Sequence, residues 1–147
     1  MHLGGQVSTL GPVVQVHIGP SHPRIQALEA AEMAVPAAIV ANLLIDTGAS
    51  MTALNSVIPK RLGLLPTGLV PVHTPSTSGG TIDFEVFDVG LVFASTHAGS
   101  PHHIVRALPV TANGNAFHGF DGLLGRDVLA HARLIYSGFD QIFLLSF

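Results

Sequence analysis

The feature that most limits the fold of this sequence is a series of short apolar runs, separated by clusters of Gly, Pro, Asn and Ser. Residues 13–18 form a β-branched run between Pro12 and Gly19, which predicts a strand. Similar signals predict a strand or a bent pair of strands at 35–45, and strands at 69–73, 81–93, 104–111, 134–136 and 141–147. Many short strands at close spacing predict an all-β, closed or partly closed barrel.

Helix signals are few and short. A helix is predicted from about residue 56 to 62, with Pro59 in its first turn and Gly63 ending it. A second is predicted at 126–131, and residues 26–33 hold helix formers that could equally belong to a loop insertion. Residues 1–12 are Gly-rich and polar, which predicts a flexible arm before one domain at 13–147.

Composition excludes several classes of function. The net charge is −3 and no basic run is present, which argues against nucleic-acid binding. Without cysteine, neither disulfides nor thiolate chemistry is possible. Charged residues make up only 10% of the chain against a usual value of about 25%, as expected if a partner covers apolar surface. No apolar stretch is long enough to span a bilayer, so a cytoplasmic location is expected.

Asp46 is the candidate catalytic residue. It follows the apolar run 39–45, and a carboxylate at the end of a buried strand is costly unless other groups satisfy it. The residues after it are small, and Gly48 permits a tight turn that aims backbone amides back at the carboxylate. The pattern predicts a carboxylate held on a rigid, partly buried loop.

One carboxylate is half of a proton-sharing pair. Peptide hydrolysis by an activated water needs one carboxylate as base and a second as acid. Asp-Thr-Gly occurs once, and Asp121-Gly122, the nearest other candidate, has no Thr or Ser. A two-fold axis between two copies would supply the second carboxylate.

Two motifs resemble those of the retropepsin-like aspartic proteases. Residues 44–50, Leu-Ile-Asp-Thr-Gly-Ala-Ser, are similar to the family's active-site motif. Residues 122–129, Gly-Leu-Leu-Gly-Arg-Asp-Val-Leu, are similar to its second motif, an apolar strand followed by Gly-Arg-Asp and a short helix. The motifs occur in the family's order, and the match covers roughly residues 13–147, most like the bacterial and cellular members.

The resemblance implies a role for each motif residue. It implies that Asp46 is the catalytic acid and base. It also implies that Thr47, Gly48, Ala49 and Ser50 form the active-site loop that braces the pair, with the Gly48 backbone near the substrate. It implies a structural role for Gly125, Arg126 and Asp127, which would tie the helix to the loop. The family often has an acidic partner for the arginine, whereas this chain has Ala49, Ser50 and Met51 in that stretch.

The resemblance also implies a flap, a hairpin that closes over substrate and excludes water. The stretch between the predicted strands 69–73 and 81–93 would form its tip: Thr74, Pro75, Ser76, Thr77, Ser78, Gly79 and Gly80. The alternative is an ordinary surface hairpin, which the sequence does not distinguish from a flap.

Other assignments fit parts of the sequence pattern. Asp46 alone could be a turn or helix-capping aspartate, or one of a glycosidase pair with Glu85 or Asp121. The nine histidines lack metal-ligand spacing, so no metal and no cofactor are expected.

The sequence thus predicts a homodimeric aspartic endopeptidase with its active site on the two-fold axis. It would cleave extended peptide or protein segments with apolar side chains. The alternative is a catalytically weak or inactive dimerisation and peptide-binding module of the same fold.

Overall fold

The computed structural model describes residues 1–73, 79–95, 101–114 and 117–147. Within them the chain forms ten strands and three short helices. The helices are α1 (His22–Ala30), α2 (Val57–Arg61) and α3 (Arg126–Leu129). The strands are β1 (His2–Gln6), β2 (Val13–Pro20), β3 (Ile39–Ile45), β4 (Ala53–Asn55), β5 (Gly68–Val72), β6 (Ile82–Phe93), β7 (His103–Asn113), β8 (Gly122–Leu124), β9 (Arg133–Ser137) and β10 (Ile142–Ser146).

Six strands close into a barrel, which confirms the predicted all-β barrel class. Their order is β2-β3-β8-β4-β7-β6, and β6 pairs with β2 to complete the ring. β5 lies outside the ring. It pairs with residues 82–86 of β6, and the two strands form an antiparallel hairpin. Closure removes the exposed edges that an open sheet would present.

The core follows from alternation along the strands. On β2, Val14, Val16 and Ile18 are buried while Gln15 is exposed, because successive side chains of a strand point to opposite faces. β6 repeats the pattern over seven residues, with Phe87, Val89, Leu91 and Phe93 buried. Full burial of each such side chain contributes about 1.5–3 kcal/mol, so the alternation itself stabilises the barrel.

A second sheet, in the order β1-β10-β9, joins the two ends of the chain. Phe143 and Leu145 are buried against the barrel, whereas Ile142 and Leu144 are 48% and 37% exposed. The last strand therefore contributes one face to the core and presents the other outward.

The sequence predicted a flexible arm at residues 1–12, and β1 contradicts this for His2–Gln6. The glycines that suggested flexibility serve close packing instead. A Cβ on Gly4 would lie 3.1 Å from the Phe143 carbonyl oxygen, and one on Gly5 would lie 3.1 Å from the Phe143 ring. Small residues here let β1 lie directly against β10.

Helix α1 begins four residues before the predicted range 26–33. Pro23 lies in its first turn, where the missing N–H costs nothing, so the Pro-containing stretch starts the helix instead of preventing it. The described ranges contain three helices, whereas one or two were predicted, and α1 is the additional one. None of the helices in the part of the chain that the structure describes has the length and apolarity to cross a membrane.

Candidate active site

Asp46 lies immediately after β3, at the mouth of the barrel. Its backbone N–H donates to the Leu124 carbonyl oxygen (3.0 Å), and its carbonyl accepts the Ala49 N–H (3.3 Å). The Gly48 N–H donates to Asp46 Oδ1 at 2.8 Å. A Cβ at position 48 would stand 3.1 Å from that oxygen, so glycine permits this close approach. The carboxylate is half-buried and its orientation is fixed by its own loop.

The second motif reaches this loop through the sheet. β8 lies between β3, with which it runs parallel, and β4, with which it runs antiparallel. Gly122 is required in this position because a Cβ would lie 2.2 Å from the Ala53 carbonyl oxygen. The insertion of β8 places the following residues, 125–129, directly behind the Asp46 loop.

Arg126 holds the backbone of the Asp46 loop. Its Nη1 donates to the carbonyl oxygens of Thr47 (2.9 Å) and Gly48 (3.2 Å), and its backbone N–H donates to the Ala49 carbonyl (2.9 Å). In the described ranges no carboxylate pairs with this guanidinium, in keeping with the absence of an acid at 49–51. Backbone carbonyls take the place of an ion pair.

Asp127 holds the far side of the loop through Thr52. Its two carboxylate oxygens accept the Thr52 N–H and the Thr52 hydroxyl, each at 2.8 Å. The same hydroxyl accepts the Gly125 N–H at 3.1 Å. Thr52 is fully buried, and sequence reasoning missed it, since a single threonine after the motif gives no signal of its own.

A cleft of about 560 Å³ opens in front of Asp46. The carboxylate and the loop residues Gly48, Ala49 and Ser50 form its floor, while Thr47 is exposed beside it. Its other walls are mainly apolar, formed by Met51, Ala53, Val70, Pro71, Val72, His73, Phe84, Thr111, Phe117 and Leu123. Asp46 is the sole carboxylate among the described lining residues, so neither Glu85 nor Asp121 lines the cleft with it.

Asp121 has a different position. Its Oδ2 accepts the Asn42 N–H at 2.8 Å, and its own N–H donates to the Asn42 carbonyl at 2.8 Å. These bonds join the chain before β8 to β3. The proposed glycosidase pair of Asp46 with Asp121 is therefore not formed around this cleft.

The β5–β6 hairpin contributes to the opposite side of the cleft. Its register runs from Gly68 opposite Val86 to Val72 opposite Ile82. The predicted tip residues Thr74, Pro75, Ser76, Thr77 and Ser78 lie outside the described residues. Gly79 and Gly80 are exposed, and Gly79 has a φ of 87°, a conformation that favours glycine.

The histidines have other surroundings. In the described ranges, no group of three or more His, Cys, Asp or Glu residues could hold a metal ion. His103 stacks on the Phe147 ring, with centroids 4.0 Å apart. Burial lowers the pKa of His103, and the nearby Met1 amino group and His131 lower it further.

Comparison with known proteins supports the fold. No family model and no curated protein matches the sequence. Among solved structures, a retropepsin-like aspartic protease from Rickettsia conorii is similar, with a TM-score of 0.61 and 14% identity. The alignment covers 100% of this chain and 91% of that one. The barrel, with its loop and second motif, is therefore a retropepsin-like fold.

Proposed function

We propose that this protein is an aspartic endopeptidase that acts as a homodimer, with Asp46 of each chain forming the catalytic pair. One observation carries the proposal: the only carboxylate on the described walls of the main cleft is fixed by the amide of its own loop. A fixed carboxylate at the floor of a large, apolar cleft suits acid–base chemistry on a bound peptide.

The second carboxylate would come from a second copy. A two-fold axis beside the loop would bring the two Asp46 side chains together, and Thr47, exposed at the same edge, would brace the two loops. Two carboxylates at such a short distance share one proton, and this sharing separates the two apparent pKa values of the pair. Activity is then expected on the acidic side of neutral, where the pair holds that proton.

Hydrolysis would proceed without a covalent intermediate. The unprotonated Asp46 takes a proton from a water molecule, and the oxygen of that water attacks the scissile carbonyl carbon. The protonated Asp46 of the other chain donates its proton to the carbonyl oxygen. The tetrahedral intermediate then collapses and the C–N bond breaks. The leaving nitrogen takes the proton that the first Asp46 gained from water, and a hydroxyl of the intermediate gives its proton to the second Asp46, so the pair again holds one proton. The bonds from Gly48 and Arg126 would keep the carboxylate in place throughout.

The substrate would be an extended peptide. β5 and β6 place backbone and side chains of Val70, Val72 and Phe84 along the cleft, and an extended segment could pair with such an edge. Phe117 and Leu123 add apolar surface, which favours apolar side chains beside the cleaved bond. Gly79 and Gly80, with the tip residues 74–78, would act as the flap, and Gly125, Arg126 and Asp127 would be structural.

The test compares the wild type with Asp46→Asn and with a matched control, Asp88→Asn. Asp88 is a half-buried carboxylate of β6 that does not line the cleft. Each protein is incubated with an unbiased peptide pool from acidic to neutral pH while its oligomeric state is recorded. The wild type and Asp88→Asn should cleave the same bonds, and Asp46→Asn should cleave none while remaining a dimer.

If a folded wild-type dimer leaves every peptide intact, the catalytic proposal fails, and a peptide-binding module of the same fold becomes the better description. Cleavage by Asp46→Asn at the wild-type rate would place the catalytic group elsewhere.

A further inference from the structure

A second depression, of about 300 Å³, lies on the outer surface of the barrel beneath α1. None of its described lining residues belongs to the Asp46 cleft. It is lined by His17, Gly19, Pro20, His22, Ile25, Val35, Pro36, Ala38, Gly90, Leu91, Val92, Ile104, Val105 and Arg106. The insertion at residues 21–38, between β2 and β3, supplies one wall of it.

The floor of this groove exists because two glycines are paired across β2 and β6. Gly19 lies opposite Gly90 in the register, and neither places a side chain above the sheet. A Cβ on Gly90 would lie 3.0 Å from the Pro20 carbonyl and 3.6 Å from the Arg106 carbonyl, so this part of the sheet is tightly joined below the groove. β6 also has a register shift here, between Val89 and Leu91, which bends the strand.

The walls are apolar and the polar groups at the rim are basic. Ile25, Val35 and Pro36 face the groove from the insertion, and Val92 and Ile104 face it from the sheet. His17 and His22 are half-buried and Arg106 is exposed. No carboxylate is among the described lining residues, and no described residue accepts a hydrogen bond or ion pair from the Arg106 guanidinium.

We propose that this groove binds a small carboxylate with an apolar tail. The tail would lie over Gly19 and Gly90 between the apolar walls, and the carboxylate would take the fork of N–H donors that Arg106 offers, with His17 and His22 nearby. The volume is at the lower end of the range of small-molecule sites, and is too small for a long peptide segment. Inorganic anions would gain nothing from the apolar walls.

The probe is octanoate, titrated into the isotope-labelled wild-type protein and followed by the backbone amide signals. Octanoate should shift the amides of Gly19, Gly90 and Ile104 and leave those of Gly48 and Ala49 unchanged. Octanol, with the same tail and no charge, should bind about tenfold more weakly or worse, because a charge-assisted bond is lost. Arg106→Gln should weaken octanoate by a similar factor, about tenfold.

Arg24→Gln is the matched control, since Arg24 is an exposed arginine of the same insertion that does not line the groove. It should bind octanoate like the wild type. Ala38→Leu provides an uncharged second variant, because Ala38 Cβ would be only 3.8 Å from a Cβ on Gly19, so a longer side chain fills the groove. It should abolish binding of both octanoate and octanol.

The proposal is overturned if octanoate shifts no groove amide, or if octanol binds as tightly as octanoate. It is equally overturned if Arg106→Gln and Arg24→Gln bind octanoate alike. None of these readouts requires peptidase activity, so the site and the proposed function can fail separately.

Discussion

The Asp46 loop and the β5–β6 hairpin lie on opposite sides of one cleft but are held very differently. The loop is fixed by Arg126, by the Asp127–Thr52 pair and by close contact with β8, all within short distances. Among the described strands, β5 pairs with β6 alone, and Leu69 and Ile82 are 67% and 53% exposed. Under the proposed function, the Asp46 carboxylate needs a fixed position, whereas a wall that admits and releases a peptide does not.

The largest expected effect comes from a glycine-to-alanine substitution made on each side of the cleft, and it could contradict this comparison. Gly122→Ala places a methyl group 2.2 Å from the Ala53 carbonyl oxygen, so β8 must shift. We expect a loss of about 3 kcal/mol or more in the free energy of unfolding. A methyl group on Gly68, in β5, meets nothing within 4 Å, and Gly68→Ala should change the stability by less than about 0.5 kcal/mol.

Urea unfolding followed by circular dichroism measures both variants. Equal losses in the two would show that the hairpin is as tightly packed as the loop.

A smaller effect comes from removing one carboxylate in each region. Asp127→Ala leaves the N–H and hydroxyl of the buried Thr52 without their acceptor, which should cost about 2 kcal/mol. Asp83→Ala, on the exposed part of β6, should cost less than about 0.5 kcal/mol. Thermal unfolding at one pH distinguishes them, and a Tm of Asp127→Ala equal to that of Asp83→Ala would contradict the bracing role.

The smallest expected effect is the contribution of His103 to the pH dependence of the stability. The pKa of His103 is lowered in the folded state, so below about pH 6.5 the unfolded chain binds more protons at this residue. Stability contributed by neutral His103 is therefore present above that pH and is lost as the pH falls toward the lowered pKa. His103→Phe keeps a ring against Phe147 but cannot titrate.

Unfolding free energies measured from neutral to acidic pH should fall less steeply for His103→Phe than for the wild type. Parallel curves would show that His103 does not contribute to acid sensitivity.

The sequence was sufficient for the barrel because its strands carry β-branched, alternating residues bounded by Gly and Pro. It failed where small residues serve packing, since Gly4 and Gly5 indicated flexibility yet pack against Phe143. It also failed for β4, because the three residues Ala53–Asn55 are too few to show a strand period. The range 35–45 was predicted as a strand or a bent pair of strands, but the structure has one strand there, β3, which begins only at Ile39. Residues before it line the groove beneath α1.

The candidate site was predictable in its motifs and not in its contacts. Asp46 and the 125–127 motif are visible as sequence, and the structure brings them together through β8. The partnership of Thr52 with Asp127 joins residues 75 positions apart, and no local pattern encodes it. Likewise, the groove depends on a register that pairs Gly19 with Gly90, which only the closed barrel creates.

Under the proposed function, catalysis needs Asp46 from two chains, and a subunit-mixing experiment tests this requirement most directly. Wild type and Asp46→Asn are mixed in equal amounts, allowed to exchange subunits, and assayed at the total chain concentration of a pure wild-type sample. If each active unit needs two Asp46 residues, only wild-type pairs work and about a quarter of the activity remains. If about half of the activity remains, each chain works alone, and the proposal that two chains share the catalytic pair is wrong.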